Sequence, residues 1–399
     1  MALTLSKKGQ AVKPSSTLAI TAKAKALKAE GKDVVGFGAG EPDFNTPDNV
    51  CQAAIRAIEN GFTKYTAASG MPELKKAVSE KFARVNGLSY TPEQCVISNG
   101  GKHALTNVFE AILNPGDEVI IPSPFWLSYP EIVKLADGVP VIVRCTAEQD
   151  YKITPEQLAA ACTEKTKAFI LNSPSNPTGM VYTREELAAL AKVIVEKDIF
   201  VVSDEIYESL VYDGMEAVSI GSLGEDILAH TITCNGMAKG YAMTGWRIGY
   251  TGAPLAVAKV MSSIQSHQTS NPNSIAQAAS VEALTGSQDS VALMKAEFDK
   301  RRNYIMERID AMPYIRAIRP EGAFYVFVDV SETLGKSWRE TEIADVGVMA
   351  KILIEEYLTA VIPCADFGFA DHIRLSYAIS MEQIQKGMDR IEEFLNCLR

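Results

Sequence analysis

Histidine is scarce in this chain. Four occur, at positions 103, 230, 267 and 372, none at zinc-ligand spacing from another, so no histidine-based metal site is expected. The seven cysteines form no Cys-x-x-Cys pair. An odd, scattered set in 399 residues argues against a disulfide framework and for the reduced, mostly buried thiols of a cytoplasmic protein. No apolar run reaches 18 residues, and the opening MALTLSKKGQ has no apolar stretch of signal-peptide length; neither a secretion signal nor a membrane span is expected. Positive charge is in the minority: 39 Lys and Arg against 49 Asp and Glu leave a net charge of −10. Such a surface repels phosphate backbones and anionic lipid, so neither nucleic acid nor membrane is an expected partner. Internal repeats, charge blocks and low-complexity linkers are also missing.

What is present is an ordinary globular balance. At 47% hydrophobic and 22% charged residues the chain is too apolar for disorder. Its length suits two domains. Short apolar runs recur at 93–98, 118–121, 139–143, 168–171, 199–202, 231–234 and 248–251, the pattern of strands covered on both faces. Between them lie helical patterns. Thr183, with Glu186 three residues on, predicts a capping box ahead of the apolar stripe Leu187, Leu190, Ala191, Ile194 and Val195. Alternating strand and helix predicts an α/β fold with a mostly parallel sheet. The last third reads as a smaller α+β domain. It has a long helix over about 289–312, the strand pattern FYVFVDV, a helix near 346–358, the strands AVIP and HIRLSYA, and a final helix capped by Ser380 with Gln383. The expected division is 1–45, an N-terminal segment packing with the small domain, then 46–288 and 289–399.

Open α/β sheets bind ligands beyond the carboxyl ends of their strands. Four polar stations fall there: Asn99-Gly-Gly-Lys-His103, Asn172 to Gly179, Ser203-Asp-Glu-Ile-Tyr207, and Cys234-Asn-Gly-Met-Ala-Lys239. The glycine pair at a strand-to-helix turn suits an anion cradle or an ordinary turn. Lys239 follows a strand with small residues at 236, 238 and 240, which let another molecule approach closely. A lysine so placed can react with an aldehyde cofactor. His103 reads as a helix-start residue.

Nine motifs in order resemble the class I aminotransferases of the pyridoxal-phosphate fold-type I superfamily: AGEPDFNTP, YTAASGMPELKKAV, SNGGKHAL, NPGDEVIIPSPFWLSYPE, NSPSNPTG, SDEIYE, NGMAKGYAMTGWRIGY, EGAFYVF and HIRLSYA. The likeness is strongest to the bacterial aspartate aminotransferases of the aspartate/prephenate subgroup. It implies a large domain with a mostly parallel seven-stranded sheet in a three-layer sandwich, a smaller α+β domain, and a homodimer with shared active sites. It also implies pyridoxal 5'-phosphate, an amino acid substrate such as aspartate or glutamate, and a 2-oxoacid (2-oxoglutarate or oxaloacetate).

By the same resemblance Lys239 holds the cofactor, Asp204 pairs with its ring nitrogen, and Tyr207 and Asn176 bond the ring oxygen. Trp126 covers the ring, Gly101, Lys102 and Arg247 hold the phosphate, and Tyr65 reaches the neighbouring subunit's phosphate. Arg374 grips the substrate α-carboxylate, with Gly40 and Asn176 nearby, and an Asn176–Pro177 cis bond is expected. Lys102, helped by the segment 13–16, is expected to meet a distal carboxylate. The residue types suit the chemistry. A buried carboxylate keeps a ring nitrogen protonated, so the ring can accept electrons from the substrate Cα. An amine beside Cα can move its proton, and a guanidinium matches a carboxylate with two parallel bonds. In HIRLSYA, Ile373, Leu375 and Tyr377 share one face and Arg374 and Ser376 the other, so the charge can point away from the core.

Two positions depart from the family pattern. Ala238 stands where many relatives carry a serine, and Cys364 follows Ile362-Pro363, with an expected effect on a turn, on closure or on oxidation. Other readings on the same fold are an aromatic or prephenate aminotransferase and a C–S lyase. A more remote one is a cofactor-binding regulator, which would call for a helix-turn-helix unit that the first forty residues lack.

Overall fold

The computed structural model describes residues 4–12 and 16–399; Lys13, Pro14 and Ser15 lie outside the described residues. Seven strands form the main sheet, in the spatial order Cys95–Ser98, Gly249–Gly252, Thr231–Gly236, Phe200–Asp204, Thr166–Asn172, Glu118–Ser123, Val139–Arg144. Gly249–Gly252 runs antiparallel to both neighbours, and the remaining pairs are parallel.

Side-chain alternation divides the central strands between two cores. Val119, Ile121, Ala168, Ile170 and Val202 pack beneath helices Gly101–Ile112, Ser128–Leu135 and Leu255–Gln268. Ile120, Phe169, Leu171 and Val201 pack beneath Pro155–Ala161 and Arg184–Glu196. Helices on both faces make three layers. The Thr183 box forms with both reciprocal bonds, and Leu187, Leu190, Ala191 and Ile194 are its buried stripe. One strand departs from the expectation of cover on both faces. Val139–Arg144 is the sheet edge, with Val139 and Ile142 exposed. An edge position tolerates Pro140, whose ring lacks a donor for a second ladder.

A four-stranded antiparallel sheet, Ile362–Pro363, His372–Ser376, Tyr325–Asp329, Arg316–Ala317, forms the second unit. Helices Asp289–Ala311, Val346–Glu356 and Met381–Asn396 supply the rest of its core. The N-terminal segment joins it: Val35–Gly36 pairs in parallel with Thr359–Ala360, and Ala24 and Val34 pack on Ile354 and Ala360. At Ser380 only the hydroxyl half of the expected box forms, accepting from the Gln383 N–H. None of the described helices is long and apolar enough to cross a membrane.

Candidate active site

The strand ends of the large sheet and the small unit enclose a cavity of about 470 Å3. Its wall brings together Gly40, Gly101, Lys102, Trp126, Asn176, Asp204, Tyr207, Lys239, Arg247 and Arg374. Tyr65 stays outside, 90% exposed on the surface.

Lys239 extends from the turn after Thr231–Gly236 and donates to the Gly40 carbonyl. Burial lowers its pKa to about 8, with Glu41 opposing the shift and Arg374 and Arg247 reinforcing it. An amine in this state is a nucleophile near neutral pH. Asp204, at the end of its strand, accepts from Tyr129 Oη at 2.7 Å and from the Ile206 N–H at 3.3 Å. Burial pushes its pKa up, because two neutral donors do not replace the water removed. Tyr207 shares a hydrogen bond of 2.9 Å with Tyr325, and burial holds both phenols above their usual range.

The second end of the cavity is cationic. Gly100, with φ 95°, caps helix Gly101–Ile112, and a Cβ there would lie 2.4 Å from Arg247 Nη2. Gly249 lies so close behind that its Cβ would meet Gly101 N at 2.4 Å. The packing thus sets free helix-start N–H groups against a guanidinium, an arrangement made for an anion. Arg247 itself is left-handed, φ 57°, and donates to the Thr244 carbonyl at 3.0 Å. Ala238 lines the same cavity without a hydroxyl. Lys102 stands exposed at the rim, its Nζ 4.9 Å from the Trp126 ring. Partial burial and Arg247 lower its pKa.

Arg374 projects from His372–Ser376 on the side opposite Ile373, Leu375 and Tyr377, which enter the core. It points away from the apolar core and is still 2% exposed, because that face looks into the cleft. Its Nη1 donates to Asn176 Oδ1 at 3.0 Å and its Nη2 to Gly38 O at 3.1 Å, while Tyr325 stacks 4.4 Å away. Among the described residues no carboxylate pairs with it, and its Nε has no partner. A buried cation facing only neutral acceptors is set for an anionic ligand. The Asn176–Pro177 bond is cis.

Three contributors were not singled out from sequence. Tyr129 holds Asp204, Tyr325 joins Tyr207 to Arg374, and Asn172 donates to Asp204 O while accepting from Asn176 N. All three sit inside the quoted motifs, but nothing in local spacing marks them. His103 accepts from the Asn99 N–H, bracing the turn away from the cavity wall. Cys364 does not suit the expected sensitivity to oxidation. It is fully buried and its thiol is held protonated by that burial.

A family model described as aminotransferase class I and II matches residues 32–391. The chain is 52% identical over 382 residues to an aspartate aminotransferase of a Bacillus species, covering 96% of each. It is 49% identical to an aspartate/prephenate aminotransferase of Cereibacter sphaeroides, again covering 96% of each. The solved aspartate aminotransferase of Rhizobium meliloti superposes with a TM-score of 0.96 at 41% identity, covering 100% of both chains. That of Thermus thermophilus with maleate superposes with 0.93 at 46% identity, covering 99% of this chain and 100% of the other. Fold, cavity and full-length similarity agree: this chain is an aminotransferase and belongs to the class I and II family.

Proposed function

We propose that the protein transfers an amino group between aspartate or glutamate and a 2-oxoacid such as 2-oxoglutarate or oxaloacetate, with pyridoxal 5'-phosphate as its cofactor. The observation that carries this reading is the unpaired, buried Arg374 facing Lys239 across one cavity. The residues fit the cofactor on independent grounds. The Gly100–Gly101 turn with Arg247 offers a phosphate cradle, and Asp204 lacks the cationic donor that a protonated ring nitrogen would supply. Lys239 would hold the aldehyde carbon, Tyr207 and Asn176 the ring oxygen, and Trp126 would cover one face. When bound, the cofactor supplies a cationic ring that stabilises negative charge at the substrate Cα.

The chain's own groups do the rest. Arg374 binds and orients the α-carboxylate. Asp204, held by Tyr129, keeps the ring nitrogen protonated. Once the incoming amino group has freed it, Lys239 Nζ would carry the proton from the substrate Cα to the cofactor's former aldehyde carbon, and in the reverse direction in the opposite half-reaction. Lys102 at the rim is the proposed contact for a distal carboxylate. Maleate, the ligand of the Thermus thermophilus structure, is a dicarboxylate, which favours acidic substrates over aromatic ones.

The same reading takes the protein as a cytoplasmic homodimer, supported by seven unpaired thiols and by the exposure of Tyr65, Ile55 and Ile58. It also takes 1–45, 46–288 and 289–399 as the N-terminal, large and small parts. Steady-state kcat/KM for aspartate, glutamate, tyrosine, alanine and prephenate tests the substrate assignment. Preference for the two acidic amino acids is expected. A preference for tyrosine or prephenate, or release of thiol and ammonia from a cysteine conjugate without an oxoacid, overturns it.

A further inference from the structure

The segment Asp204 to Glu208 is a single turn with two faces. Glu208 N donates to Glu205 O at 3.0 Å, closing the turn. Asp204 and Tyr207, three residues apart, face the cavity. Glu205 and Glu208, also three apart, face the other way into a buried polar cluster that the proposed chemistry does not use.

The cluster is dense. Asn86 ends the short π-helix Phe82–Asn86 and donates to Glu205 Oε2 at 3.0 Å, Glu208 Oε2 at 2.7 Å and Ser219 Oγ at 2.9 Å. Lys81 Nζ donates to Asn86 Oδ1 at 2.8 Å and forms an ion pair with Glu208. Ser203 Oγ donates to Glu205 Oε1 at 2.8 Å, and Ser219 Oγ donates to Glu205 Oε2. Lys81, Asn86, Glu205, Ser203 and Ser219 are all buried. The cluster holds two carboxylates against one ammonium, which pairs with Glu208. The other titratable groups around them are Tyr90, Tyr250 and Cys234, all buried, and Tyr241 on the Glu208 side. Burial, reinforced by Glu208, raises the Glu205 pKa to about 7.

Buried charged groups are costly unless fully bonded, and such clusters impose a unique arrangement on the chain segments that bear them. Here three distant segments, 81–86, 203–208 and 219, are tied at one point. We propose that Glu205 and Glu208, backed by Lys81, Asn86 and Ser219, are positioning residues that hold the turn so that Asp204 and Tyr207 meet the cofactor ring. The proposal rests on the aminotransferase reading of the cavity. It adds that the precision of the ring-facing groups is set from behind the sheet end.

The test compares Glu205→Ala, Glu205→Gln and Glu208→Ala in the holoenzyme. A misplacement near 1 Å at a reacting group costs up to about 100-fold. The alanine variants should therefore lose about 10- to 100-fold in kcat. KM for amino acid and oxoacid should stay within about threefold, because Arg374 lies on another element. Glu205→Gln keeps the shape and most of the bonds and should restore most of the rate. Amide hydrogen exchange over 203–210 reads the turn without turnover and should quicken in the alanine variants, while the helix 381–396 in the small unit is unchanged. If an alanine variant does not fold, Lys81→Met with Glu208→Gln removes both charges of the pair together, and the same kcat loss and exchange pattern is expected. Wild-type kcat and exchange in folded variants, or a rise in KM alone, overturns the proposal. A wild-type enzyme without transaminase turnover overturns the functional reading instead, with the exchange result still deciding the role of the cluster.

Discussion

Replacing Arg374 by alanine removes a buried guanidinium that has no acidic partner among the described residues. Its two bonds, to Asn176 Oδ1 and Gly38 O, orient the fork, and Tyr325 fixes its plane. The substrate α-carboxylate would complete this arrangement. A hydrogen bond to a charged group contributes about 1.5–3 kcal/mol, equivalent to about 10- to 150-fold in kcat/KM. Every amino acid substrate carries the α-carboxylate, so Arg374→Ala should weaken aspartate and alanine by the same factor. Arg374→Lys keeps the charge but not the two-pronged geometry and should recover only part of the loss. Lys102 provides the contrast. It stands at the rim beside Trp126, where only a second carboxylate would reach it. Lys102→Ala should weaken aspartate and glutamate by a similar factor and leave alanine nearly unchanged. Its backbone N–H, in the first turn of helix Gly101–Ile112, survives the substitution. The assay is steady-state kcat/KM with aspartate and alanine for wild type and the three variants, with thermal unfolding as a control for folding. Equal losses for aspartate and alanine in Lys102→Ala would refute the division of labour and assign that side chain to cofactor or fold; Lys13 would then be the next cation to test.

Asp204→Asn should keep the cofactor and lose more than 90% of kcat, since a neutral amide cannot hold the ring proton. A retained rate above about a tenth of wild type, a change below about 1.4 kcal/mol, counts against the pairing. Borohydride reduction of the holoenzyme followed by tryptic mapping should place the cofactor on Lys239 alone, and a labelled peptide carrying any other lysine refutes that assignment. The rate of cofactor attachment to the cofactor-free protein should climb with pH and level off above about 8, because burial lowers the Lys239 pKa to about 8 and the neutral amine is the reactive form. A plateau reached only near the pKa of free lysine would contradict it. Inactive Tyr65→Ala and Lys239→Ala proteins should regain part of the activity when mixed and re-dimerised; a fully active monomer at micromolar concentration rules out the shared site.

Local sequence was enough to determine the layered α/β plan. Strand-length apolar runs alternate with capped amphipathic stripes, and both signals depend on neighbours a few residues away. The Thr183 helix forms with the predicted box and stripe because nothing distant competes with it. The ordered motifs, read as a family resemblance, also named ten of the residues that line the cavity, though not Tyr129, Asn172 or Tyr325. Spacing alone would not have done so, since Gly40, Lys239 and Arg374 are separated by nearly the full chain.

Tertiary structure decided what each group experiences. Val139–Arg144 reads like a core strand, but its place in the sheet order leaves it at the edge. Ser380 caps its helix without the reciprocal bond. Cys364 loses its expected reactivity because the chain folds over it. The lowered pKa of Lys239 and the raised pKa of Asp204 arise from water excluded by segments far away in sequence. Tyr129 and Tyr325 act through partners 75 and 118 residues distant. Nothing in local spacing marks Glu205 and Glu208, and only the approach of Lys81 and Asn86 ties them into an anchor. Periodicity and capping are properties of neighbouring residues, so they are legible along the chain. Desolvation, charge pairing and the closure of a cavity depend on which distant segments meet, and that is settled only when the two units pack.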